Sequence, residues 1–206
     1  MSGKSGQTVV DRLQAAIHTI DGSEMAKTVC KASTHEMAGP KAKHLVSLVN
    51  MSKAQNINQP ELINLIILRT KEKSWVVVLK ALITCHHLMV YGHEKVFQVM
   101  AARSVVFSLD GFSDHMGPMG YDMSAFIRIY SSYLNERSLA YRNMAGDFCR
   151  MKRGEENSWK KMDDKKLIDS VGILQKLLDK LTSCKVDMKD LRVWSKNHDA
   201  IGRSEN

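Results

Sequence analysis

The stretch Trp75-Val-Val-Val-Leu-Lys-Ala-Leu-Ile-Thr-Cys-His-His-Leu-Met-Val-Tyr-Gly92 decides the fold. Its opening Trp-Val-Val-Val-Leu has strand propensity. The apolar character nevertheless continues to Met89, too far for a strand, and glycine closes it. Such a segment reads as a central helix over 74–91, buried on most sides. Lys80, Thr84, His86 and His87 interrupt it, so it falls short of the ~20 apolar residues that a membrane span requires.

Outward from this segment the chain reads as helix after helix. Its 3 prolines, Pro40, Pro60 and Pro118, fall at boundaries and interrupt no periodic run. Apolar spacing predicts helices over 8–20, 24–33, from Pro40, from Pro60, and over 93–109, 122–151 and 164–183. Asp110 to Gly120, with three glycines and a proline, reads as an interhelical loop. Arg150 to Asp164 reads as an exposed connector. The expected fold class is all-α, a right-handed superhelix of antiparallel helices. The expected domain covers 1–182, followed by a poorly ordered tail over 183–206, in which Leu191, Val193 and Trp194 sustain no apolar face.

A chain of 206 residues, 44% apolar and 25% charged, has the composition of a folded globular protein. The N-terminus has no apolar core of signal-peptide type and no glycine at position 2. Cys30, Cys85, Cys149 and Cys184 form no CxxC pair and read as reduced, buried thiols. His86 and His87 point about 100° apart on a helix and cannot share a metal ion, so they read as structural. No nucleophile, base and orienting group converge in the sequence. Neither an enzyme nor a cofactor is expected. The 13 methionines read as core filler.

The net charge of +8, from 30 lysines and arginines against 22 acids, suggests an anionic partner. The informative cluster lies between Lys27 and His44, with four lysines, two histidines and one acid. Lys27 and Lys31 share one helix face. Lys41, Lys43 and His44 fall in the first turn of the next helix, where cations oppose the helix dipole. Free N–H groups at such an end already favour an anion, and a phosphate-rich ligand would relieve the repulsion. A solvated basic turn is the alternative.

The cluster lacks the aromatic rings that stack on single-stranded nucleic acid, and the arginines and asparagines that read duplex bases. Gly39-Pro-Lys-Ala-Lys43 also fails the nucleotide-binding GxxxxGK[ST] spacing. No nucleic acid is expected. Compact lysine clusters suit polyanionic lipid head groups, and four lysines at roughly 1 kcal/mol each would add about 4 kcal/mol to membrane binding. The competing reading is a helical scaffold that binds an acidic peptide without lipid specificity.

Lys27-Thr-Val-Cys-Lys-Ala-Ser-Thr-His-Glu-Met-Ala-Gly-Pro-Lys-Ala-Lys-His-Leu45 resembles the signature of the ANTH domain, the N-terminal module of clathrin coat assembly proteins. The family pattern is a lysine, nine residues, a lysine, one residue, then Lys or Arg followed by His or Tyr. Lys31, Lys41, Lys43 and His44 fill it. Ser74 to Leu79, Leu82 to Gly92, Gly120 to Arg128 and Tyr133 to Arg137 resemble the same family, and the likeness covers about 8–181. The resemblance implies phosphatidylinositol 4,5-bisphosphate bound by Lys31, Lys41, Lys43 and His44, with Lys27 assisting. It implies a membrane adaptor in clathrin-mediated endocytosis, cytoplasmic and peripheral at the plasma membrane and at coated pits. Clathrin, adaptor proteins and a vesicle SNARE are its implied protein partners. Family members also carry a short amphipathic N-terminal helix, matched here by Met1 to Ile20. The later SNARE-docking helices and clathrin-binding tail find no match after 183, and a truncated chain is the expectation.

Overall fold

The structure is a computed structural model, and it describes residues 23–115, 117–150 and 162–185. The expected helix over 8–20, most of the 150–164 connector and the tail beyond 185 lie outside the described residues. Among the described residues every regular element is helical. They are α1 (Glu24–Ala32), α2 (Ala42–Lys53), α3 (Gln59–Arg69), α4 (Trp75–Tyr91), α5 (Glu94–Ala101), α6 (Gly117–Met144) and α7 (Asp164–Ser183), with a 3-10 turn at Phe148–Arg150. Helices pack on neighbours one to three places along the chain: α1 on α2, α3 and α4, α4 on α5 and α6, α6 on α7.

Local chemistry explains most helix starts. The side chains of Ser23, Asn58, His93 and Asp163 accept from Ala26 N, Glu61 N, Lys95 N and Lys166 N. Each satisfies an N–H that the helix cannot. Pro60 sits in the first turn of α3, where its missing N–H costs nothing. α4 is the central element. Val77, Val78, Leu82, Leu88 and Met89 are at most 1% exposed, and neighbouring helices cover it on several sides. Burying each such side chain contributes roughly 1.5–3 kcal/mol.

Two expected boundaries move. The helix expected over 93–109 ends at Ala101, and irregular backbone follows to residue 115. Asn135 of α6 causes this. Its Oδ1 accepts from Val106 N at 3.1 Å and Phe107 N at 2.9 Å, while its Nδ2 donates to Phe107 O at 2.8 Å. A side chain thereby replaces helical partners and lets Phe107 and Leu109 enter the core. The long helix begins at Gly117, not 122, and stops at Met144, not 151. Ala145 turns the chain at φ 54°. Gly120 approaches Asp114 so closely that a Cβ would lie 2.9 Å from its carbonyl oxygen.

The apolar face expected on 164–183 is only partly used. Leu177 is buried against α6, but Ile168 is 70% and Leu178 57% exposed. Cys30 and Cys85 are buried as expected, whereas Cys149 is exposed and Cys184 half-buried, because both lie where the helical packing runs out. All four are free thiols. Among the described residues no helix is long and apolar enough to cross a membrane.

Candidate anion-binding site

α1 delivers Lys31 in its last turn, and the chain then loops through residues 33–41 into α2. Lys41 is the N-cap residue of α2 and Lys43 and His44 follow in its first turn. A lysine cannot accept a hydrogen bond, so this helix end has no side-chain cap, and its first turn carries no acid. The helix expected from Pro40 thus begins at Ala42.

Lys31, Lys41, Lys43 and His44 converge on one cavity of about 210 Å3, which Thr34 and Glu36 also line. Three ammonium groups face one carboxylate there. Glu36 pairs with Lys41 at 3.1 Å. Lys27 is not among the lining residues. It lies one turn behind Lys31, and its Nζ is 3.5 Å from Glu24. The imidazole of His44 feels the excess. Burial holds its pKa below the ordinary histidine value, and Lys43, Lys31 and Lys41 push it in the same direction.

Two buried cations that do not line the cavity hold the loop that does. Lys80 of α4 is 2% exposed, and its Nζ donates to Thr34 Oγ1 at 2.9 Å and to Glu36 O at 3.1 Å. Arg69 of α3 is 5% exposed and donates to Ser33 Oγ at 2.9 Å and Ser33 O at 2.8 Å. Both cations therefore pin the backbone and side chains of the 33–41 loop. The available signal was a lone lysine at the centre of an apolar helix. A charge so placed must find polar partners in the fold.

The arrangement suits a polyanion. Ammonium and imidazole donors converge, charge-assisted hydrogen bonds to phosphate are strong, and the cavity admits phosphate groups rather than engulfing a large ligand. Elsewhere, His86 behaves as a structural residue. Its Nδ1 lies 2.7 Å from the Tyr130 hydroxyl, and burial lowers its pKa to about 4. No group of three or more His, Cys, Asp or Glu able to hold a metal occurs among the described residues.

The chain is similar to known proteins over most of its length. The chain is 48% identical over 187 residues to the human phosphatidylinositol-binding clathrin assembly protein, covering 91% of this chain and 29% of that protein. It is 46% identical over 187 residues to the human clathrin coat assembly protein AP180, covering 91% of this chain and 21% of that protein. To the Drosophila melanogaster phosphatidylinositol-binding clathrin assembly protein LAP it is 47% identical over 199 residues, covering 91% of this chain and 42% of that one. The chain thus spans less than half the length of these relatives. Residues 24–195 match the ANTH domain. With an all-helical fold and half of its sequence shared with clathrin assembly proteins, the chain belongs to the ANTH domain family.

Proposed function

We propose that this chain is the membrane-recruiting module of a clathrin assembly protein and that it acts by binding, without catalysis. Its ligand is phosphatidylinositol 4,5-bisphosphate, held by Lys31, Lys41, Lys43 and His44. Lys27, paired with Glu24 outside the lining, adds only to the surrounding potential. The observation that carries this reading is the convergence of three lysines and a histidine around a phosphate-sized cavity with a single carboxylate. Three lysines at about 1 kcal/mol each supply about 3 kcal/mol, on the order of a hundredfold enrichment at an anionic surface. Directed hydrogen bonds to the ring phosphates add selectivity over lipids of lower charge density.

The names of the relatives support the same reading, since two of them are phosphatidylinositol-binding clathrin assembly proteins. We propose clathrin, adaptor proteins and a vesicle SNARE as protein partners, reached from a peripheral position at the plasma membrane and coated pits. The test is sedimentation with vesicles that carry different phosphoinositides at fixed total charge and two salt concentrations. A preference for the bisphosphate over phosphatidylserine of equal charge is expected. Equal binding to both would replace the lipid reading with a charge-only scaffold for acidic partners.

A further inference from the structure

The loop over 33–41 has two flanks. Thr34 and Glu36 line the basic pocket, while His35 and Met37, which alternate with them, line a second cavity of about 1080 Å3. The loop is the partition between the two. Across the second cavity stand Lys71 and Lys73 from the α3–α4 junction, Trp75 at the start of α4, and His115 ahead of α6. Lys71, Lys73 and His115 are exposed.

Two acids also line this cavity, but internal bonds occupy them. The Glu72 carboxylate meets Arg69 Nη1 at 3.0 Å. The buried Asp114 carboxylate accepts from Trp75 N at 2.8 Å. The two lysines are thus the exposed charges of the lining, against a half-buried Glu72 paired with Arg69 and a buried Asp114. Met37 is 44% exposed on the loop between the two cavities, unlike the methionines of the core. An unbranched apolar side chain in that position suits the boundary between head groups and acyl chains better than it suits water.

The larger cavity, at about 1080 Å3 against about 210 Å3, has room for a second head group. Building on the lipid reading above, we propose that the cavity between this loop and the α3–α4 junction is a second anionic head-group subsite. It takes a phospholipid from the same leaflet while the basic pocket holds the bisphosphate, and Met37 dips between the two. A lipid fits better than an acidic peptide because one short loop joins the cavity to the first site and carries the exposed methionine.

The experiment compares vesicles containing the bisphosphate lipid and phosphatidylserine with soluble inositol trisphosphate. Lys71→Ala/Lys73→Ala is expected to lose about tenfold in vesicle affinity and to bind the soluble trisphosphate as the parent does. Lys71→Arg/Lys73→Arg keeps the charge and should keep the affinity. Vesicle affinity of the alanine pair within about twofold of the parent overturns the proposal. An equal loss on the soluble ligand also overturns it, because both lysines would then serve the first pocket. So does a polyglutamate peptide whose binding the alanine pair abolishes while vesicle binding is unmoved. The first site is read separately. If Lys41→Glu/Lys43→Glu retains bisphosphate selectivity while the alanine pair loses vesicle affinity, the first reading fails and the second subsite stands.

Discussion

Inside the fold, Lys80 and Arg69 are 2% and 5% exposed and donate to Ser33, Thr34, Glu36 and Glu72. At the rim, the Lys41 side chain is 56% exposed, and its partner Glu36 is shared with the solvent-facing cavity. The residues are chemically alike and their work differs. A buried cation with fixed partners shapes the backbone, and its removal is a structural event. An exposed cation leaves the fold nearly indifferent and is available to a ligand. Exposure separates the two roles more cleanly than residue type does.

The largest test of that contrast is reversal of charge at the rim. Lys41→Glu/Lys43→Glu should cut affinity for bisphosphate vesicles on the order of a thousandfold. Urea unfolding should stay within about 0.5 kcal/mol of the parent. A variant that unfolds would make the rim structural and abolish the distinction.

Acid probes the interior next. His86 lies on α4 with Lys80, and burial lowers its pKa from 6.5 to about 4. Above pH 6.5 the imidazole is neutral in both folded and unfolded chains. As pH falls from 6.5 toward 4 the unfolded chain takes up a proton that the fold resists, and stability declines. The loss is about 3 kcal/mol in total. Urea midpoints at pH 7 and pH 4.5 measure it, and His86→Gln should remove most of the slope.

Lys80→Met removes the buried charge and leaves Thr34 Oγ1 and the Glu36 carbonyl without that donor. Stability should drop by about 2 kcal/mol. Vesicle affinity should fall with it, because the loop loses its anchor. A stable variant with full lipid affinity would show that the buried lysine does not shape the rim.

The smallest effect belongs to His44. Its pKa lies below the ordinary value through burial and the neighbouring lysines, and a bound phosphate raises it. Affinity should therefore rise a few-fold as pH drops from 7.5 to 6.5. Protonation of the phosphates, with a second pKa near ~6, opposes the gain at lower pH. His44→Gln should flatten the profile in a vesicle titration.

Particular residues show what could be read in advance. Residues 164–183 form a helix with the expected limits, because Asp163 caps one end and the apolar period persists to the other. α4 was legible from its length alone. Lys31, Lys41, Lys43 and His44 were legible as a basic cluster because three of them sit together at a helix start and the fourth lies in the last turn of the preceding helix. The contributions of Lys80, Arg69 and Asn135 were not, since each acts on residues 28 to 46 positions away. Periodicity describes one element at a time, and such bonds exist only after the elements pack. Lys27 lies one turn behind Lys31 on the same helix, outside the cavity lining and paired with Glu24.

The clamp made by Asn135 has a consequence in hydrogen–deuterium exchange. The amides of Val106 and Phe107 belong to no helix, yet both bond to a side chain rooted in α6. Their protons should leave at the pace of α6 opening rather than at the pace of a surface turn. Two slow signals inside an irregular stretch would mark that stretch and the longest helix as one cooperative unit.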